Sequence, residues 1–189
     1  MDEVESKILS QLQINGRTTF SKLGELVGYT SMGVKKRIKK MLDINAIKIS
    51  ALMNVEEFDL SAAVILLEME NAEAMENLLK RFKDCPRVVN VFKTLGGYNL
   101  IAVVVAENAD TLESISIEKC SLRSSEGIRR SELYPISRIH YSPFLAVRKH
   151  LTHKDKIFSP CGVDCRPCQR FKDRKCVGCP TARYYRGNL

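Results

Sequence analysis

The chain has 189 residues, 44% of them apolar, and a formal net charge of +8. That apolar share suffices for one large core or two small ones and excludes an intrinsically disordered chain. No apolar run nears the ~20 residues of a bilayer span, and "MDEVESK" carries acids where a secretory leader has a basic start, so no membrane partner and a cytoplasmic location are expected.

The charge is unevenly spread. Residues 1–54 hold nine Lys/Arg and five Asp/Glu, residues 55–147 ten and fourteen, and residues 148–189 eleven and three. Two basic ends therefore flank an acidic middle, and a nucleic acid is the natural partner for the ends.

In "DEVESKILSQLQING", Val4, Ile8, Leu9, Leu12 and Ile14 repeat helically until Asn15-Gly16 stops them. "TTFSKLGELVG" predicts a short second helix, capped by Thr18 or Thr19, with Phe20, Leu23, Leu26 and Val27 inward and Gly28 ending it. Thr30 can cap a third helix, "SMGVKKRIKKMLDINA", with Val34, Ile38, Met41 and Leu42 inward and Lys35, Lys36, Arg37, Lys39 and Lys40 largely outward. This is helix-turn-helix order. In such a unit Thr30, Ser31, Met32 and Gly33 begin the helix nearest DNA base edges, and the Lys/Arg residues hold phosphates of double-stranded DNA. "NAIKISALMNV" alternates as a strand would, which makes the unit, over 1–54, a winged helix-turn-helix.

Over 55–142 the pattern becomes strand, helix, strand, strand, helix, strand. "AAVILLEME" is a buried strand. "AEAMENLLKRFKDC" is an amphipathic helix with Met75, Leu78, Leu79 and Phe82 inward, and "VVNVFKTLG" and "YNLIAVVVA" are strands joined at Gly96-Gly97. "ADTLESISIEK" is a weaker helix, and "GIRRSELYPISRIH" a last strand in which Pro135 requires an edge or a bulge. The sum is an α+β chain with a ferredoxin-like βαββαβ domain.

The stretches "ILSQLQINGRTTFSKLGELVGYTSMGVKKRIKKM", "LGGYNLIAVV" and "GIRRSELY" together make residues 1–140 resemble the leucine-responsive/asparagine (Lrp/AsnC) transcription regulators, which are not enzymes. The resemblance implies dimers that can assemble further into tetramers or octamers. It also implies a small-molecule effector near the Gly-rich hairpin, here Gly96, Gly97, Tyr98 and Asn99. Such proteins usually carry Tyr-Asp at the hairpin, whereas Asn99 offers dipoles and no charge.

Residues 143–189 form a basic connector and a small Cys-rich module. The spacing Cys161-x3-Cys165-x2-Cys168-x7-Cys176-x2-Cys179 contains two C-x2-C pairs, so Cys165, Cys168, Cys176 and Cys179 are the expected ligands of one zinc ion per chain, with Cys161 a spare or alternative ligand. An iron-sulfur cluster, or redox-active thiols and disulfides with pKa values lowered by nearby Lys and Arg, are the alternatives. Cys85 and Cys120 read as isolated structural thiols, and His150 and His153 as solvent-exposed. The expected function is a sequence-specific DNA-binding regulator that responds to a small molecule, or to metal or redox state through the tail. The rival readings are a primary metal or redox sensor, and a zinc-containing nucleic-acid module without effector response.

Overall fold

Three helices open the chain, each started by a side chain that accepts a hydrogen bond from its first turn. Asp2 caps α1 (Glu3–Ile14) in a capping box with Glu5, Thr19 caps α2 (Phe20–Val27), and Thr30 caps α3 (Ser31–Asp43). The structure, a computed structural model describing residues 1–189, divides into two compact units, Met1–Ala51 and Leu52–Leu189.

In the first unit Ile8, Leu23, Val34, Ile38 and Met41 are buried together, with Val4, Leu12, Val27 and Ile47 against them. Each such side chain contributes about 1.5–3 kcal/mol before the entropy of ordering is counted. Gly24 sets how closely the second and third helices approach, since a Cβ there would stand 2.4 Å from the Tyr29 carbonyl oxygen. Three small helices bury only a narrow stripe, so Ile14, Phe20, Leu26 and Leu42, which the helical repeat turns inward, are exposed. The wing strand is also absent from residues 44–52, where the alternating residues find no partner within this unit. Strand begins only at β1 (Met53–Asn54), which pairs with β6 (Phe144–Leu145) in the second unit.

The second unit is built on a four-stranded antiparallel sheet of order β3-β4-β2-β5. Its strands are β2 (Ser61–Met69), β3 (Val88–Lys93), β4 (Leu100–Ala106) and β5 (Ile128–Ile136), with α4 (Ala72–Phe82) after β2 and α5 (Ala109–Ile117) after β4. This is the expected βαββαβ order, and Pro135 lies in β5, an edge strand where its missing N–H costs no ladder bond. One face of the sheet, Ala63, Ile65, Leu67, Met69, Leu100, Ala102 and Val104, packs on Met75, Leu78 and Phe82 of α4 and Leu112 and Ile115 of α5. On the opposite face Val64 pairs with Val103 and Leu66 with Ile101, and all four are only half-buried.

The Cys-rich tail is part of this unit. It carries a single helical turn, α6 (Gln169–Lys172), and its own small cluster of Cys165, Phe171, Cys179 and Ala182. Its last residues, Tyr185 and Leu189, are buried with Val55, Ala62, Val105 and Val147. No helix is long and apolar enough to cross a membrane.

Candidate functional site

The third helix presents the basic surface that its sequence implies. Thr30 Oγ1 accepts from the Gly33 amide at 3.1 Å, which fixes the first turn and leaves Ser31 and Met32 exposed at the helix start. Lys35, Lys36, Lys39 and Lys40 are exposed; Lys39 pairs with Asp43 at 2.6 Å. Arg37 is held differently. Its Nη1 donates to Asp2 Oδ2 at 2.5 Å and lies 3.7 Å from Glu5, while its guanidinium stands 5.1 Å from the centre of the Tyr29 ring. The Glu5 amide and then Arg37 hold the Asp2 carboxyl below its ordinary value. Arg37 thus ties the third helix to the N-terminus of the first, and Lys35, Lys36 and Lys40 are left to meet an anion.

The hairpin residues Gly96, Gly97, Tyr98 and Asn99 lie together between β3 and β4. Thr94 N–H donates to the Asn99 carbonyl at 3.1 Å and closes the turn. The Asn99 side chain accepts from Met69 N and donates to Met69 O, both at 2.8 Å, so it extends the ladder from β4 to the end of β2. Tyr98 donates to Glu132, as does Tyr134, and the Arg130 guanidinium lies 4.3 Å from the Tyr98 ring centre. The Tyr134 and Tyr98 hydroxyls, in that order, lower the Glu132 pKa.

The tail is anchored on a buried ion pair. Arg87, just before β3, donates through Nε and Nη2 to Glu107, just after β4, at 2.6 to 3.1 Å, and both side chains are almost fully buried. Arg87 Nη2 also donates to the Gly178 carbonyl at 2.6 Å, and the Tyr185 hydroxyl donates to Glu107. A second set of bonds runs to α5. Arg170 reaches Ser114 Oγ at 2.6 Å and Glu113 at 2.5 Å, Ser114 Oγ donates to Lys175 O at 3.1 Å, and Val177 N donates to Thr111 Oγ1 at 3.4 Å. From α4, Arg81 donates to the Cys161 carbonyl at 3.3 Å.

Behind these anchors lies a cavity. Cys161, Cys165, Cys176 and Cys179 of the tail line it together with Cys85 and Cys120, and Arg87, Val88, Val104 and Ile115 complete much of the wall. Cys168 does not line it; it is half-buried in an adjoining cleft whose wall also includes Cys120, Cys165 and Cys176, and it packs against the cluster of Cys165, Phe171, Cys179 and Ala182. Cys165, Cys176 and Cys179 of the two C-x2-C pairs thus line the cavity with Cys168 adjoining them, but no three His, Cys, Asp or Glu side chains gather as closely as they would around a single ion. Cys85 and Cys120, isolated in sequence, face the cavity because they follow the C-terminal ends of α4 and α5. His150 and His153 are exposed. Burial pushes the Cys85 thiol up to about 11 and Cys165 to about 12, opposite to the lowering that neighbouring Lys and Arg would bring. Cys120 and Cys179 are raised for the same reason. Gly178, at φ 86° and with Phe171 only 2.9 Å from where its Cβ would be, allows the tail to turn between Cys176 and Cys179.

A basic helix-turn-helix joined to a ferredoxin-like domain defines a DNA-binding transcription regulator, not an enzyme. The AsnC-type helix-turn-helix domain matches residues 1–42 and the Lrp/AsnC ligand binding domain residues 62–142. The chain belongs to the Lrp/AsnC family. It is 33% identical over 115 residues to the HTH-type transcriptional regulator YezC of Bacillus subtilis, covering 60% of this chain and 81% of that one. With the HTH-type transcriptional regulator FL11 of Pyrococcus furiosus it shares 22% over 128 residues, 67% of this chain and 85% of the relative. In fold it is similar to Escherichia coli AsnC, with a TM-score of 0.63 and 20% identity over 74% of this chain and 93% of the other. A Neisseria meningitidis transcriptional regulator in complex with L-Met superposes with a TM-score of 0.67 and 22% identity over 75% and 94%.

Removing Arg87 leaves Glu107 buried without a counter-charge and the Gly178 carbonyl without its donor. Arg87→Ala is therefore expected to cost about 3–5 kcal/mol, read as a lowered denaturation midpoint of the second unit. An unchanged midpoint would mean that the pair does not hold the tail.

Proposed function

We propose that the chain is a sequence-specific regulator that binds double-stranded DNA as a dimer or larger assembly. The carrying observation is the capped third helix with Lys35, Lys36, Lys39 and Lys40 exposed along it. Ser31, Met32 and Gly33 meet base edges there, and the lysines meet phosphates. Lys36→Ala should weaken binding to all sequences alike and reduce the slope of log affinity against log salt by about one unit. Unchanged affinity and slope on a selected operator would refute this docking. Arg37→Ala should instead lower the stability of the first unit, because Arg37 is held by Asp2 and Tyr29.

The apolar face of Val64, Leu66, Ile101 and Val103 supports the dimer reading, since a second copy would complete its burial. Two copies give two DNA-reading helices for a palindromic operator. Leu66→Asp in the full chain should yield monomers by sedimentation at tens of micromolar, with the helical signal retained. A variant that still sediments as a dimer would place the interface elsewhere.

For the effector we infer a small molecule, by analogy with the L-Met complex of the Neisseria protein, and the Gly-rich hairpin as its place, as the family resemblance implies. Asn99 is committed to Met69, so ligand contacts would fall to Gly96, Gly97 and Tyr98. A second reading makes the tail the receptor, so that metal or redox state sets the activity of the regulator. The six thiols around one cavity favour it. A cytoplasmic location follows from the DNA partner.

A further inference from the structure

We propose that the cavity between the tail and the helix-covered face of the sheet holds an iron-sulfur cluster ligated by Cys161, Cys165, Cys176 and Cys179. This rests on, and deepens, the reading of the tail as a metal- or redox-responsive element.

The first support is the size of the cavity set against the lining. The space open to the centre of a water molecule is about 40 Å³. A sphere of that volume, widened by the water radius, is roughly 7 Å across. A zinc ion in a four-thiolate site holds its sulfurs about 2.3 Å away, hence about 3.8 Å from one another, and takes up less room than this. A cluster of several irons and sulfides is a wider body whose thiolates each bind a different iron, and it needs a thiol-lined space of this kind.

The second support is where the thiols stand in the fold. Cys161 adjoins Gly162 and Cys179 adjoins Gly178, and both glycines have left-handed backbone, φ 81° and φ 86°. Each pair of tail cysteines, Cys161 with Cys165 and Cys176 with Cys179, thus sits on a loop that turns sharply at the cavity wall. Cys85 and Cys120 follow the C-terminal ends of the two helices packed on the sheet, which end at Phe82 and Ile117. These two therefore enter the wall from the helices, and the tail loops supply the four ligands. Ile65, Val88, Val104 and Ile115 make much of the remaining wall apolar, which lowers the exposure of a bound cluster to water.

The third support is Cys168. It belongs to the first C-x2-C pair, and a zinc site built on the two pairs needs it, yet it does not line the cavity and instead shares the adjoining cleft with Cys165 and Cys176, where Cys161 is absent. The two metal chemistries therefore make opposite demands on Cys161 and Cys168.

The test uses the full chain, purified anaerobically and also reconstituted with ferrous iron and sulfide. Iron, zinc and acid-labile sulfide are measured together. The wild-type chain is expected to hold several irons with an equal amount of sulfide, and a broad visible absorption that dithionite bleaches. Cys161→Ser should lose about tenfold or more of its iron, while Cys168→Ser keeps it. Far-ultraviolet dichroism shows whether each variant is folded, and the wild-type iron and sulfide are read independently of both. One zinc per chain without sulfide would overturn the cluster and leave a metal-bound tail. Neither metal nor sulfide would overturn the cluster and the metal reading alike. Iron kept by Cys161→Ser but lost from Cys168→Ser would overturn the ligand set.

Discussion

A single buried ion pair, Arg87 with Glu107, fixes how the second half of this protein is put together. Two charges taken out of water are unfavourable unless their hydrogen-bonding capacity is filled, and the sheet alone does not fill it. The tail does, by bringing the Gly178 carbonyl to Arg87 and the Tyr185 hydroxyl to Glu107. Leu189 N–H in turn donates to the Tyr185 oxygen at 2.8 Å, so the last residue of the chain belongs to the same network. The module is thus integral to the domain. Its apolar residues are too few for a core of their own, and the sheet supplies the remainder through Ala62 and Val105.

The same dependence accounts for the unusual composition of the helix after β4. Thr111, Ser114 and Ser116 are buried polar residues in a helix whose other side packs on the sheet with Leu112 and Ile115. A solvent-facing helix would carry charges at those places. Here Ser114 is bonded to Arg170 and Lys175, and Thr111 to Val177, so these two hydroxyls serve as the docking face of the tail, while Ser116 accepts from Arg123. In the first unit the arrangement is simpler. Caps at Asp2, Thr19 and Thr30 define three helices, Arg37 ties the third to the first, and the remaining basic residues face solvent where a phosphate can meet them.

Elements whose signals are local were legible in the sequence. Helix caps, the Gly96-Gly97 turn, the alternation of the strands and Pro135 at an edge each act within a few residues, and together they gave the helix-turn-helix and the βαββαβ order. Interactions between distant residues were not legible. Arg37 read as one more cation of "KKRIKK" because its partner Asp2 stands 35 residues away. Leu26 and Leu42 fitted a helical repeat, but three short helices cannot cover their flanks. The alternation in "NAIKISALMNV" suggested a wing, yet a strand needs a partner and only Met53–Asn54 finds one. Cys85 and Cys120 looked isolated because only the packing of the tail on the ends of two helices brings them beside Cys161 and Cys165. The weak pattern of "ADTLESISIEK" was the one signal that could have pointed to this docking face.

The central claim is that tail and sheet form one cooperative structure locked by the Arg87–Glu107 pair, and native-state hydrogen exchange tests it most directly. The Arg186 amide, bonded to Val177 O at 2.9 Å, and the Ala182 amide, bonded to Cys179 O at 2.9 Å, should exchange at rates close to those of the Val105 amide, bonded to Arg87 O. All three should be released together when denaturant opens the second unit. Fast exchange of Arg186 and Ala182 while Val105 stays protected would show a tail that opens by itself, and would contradict the account.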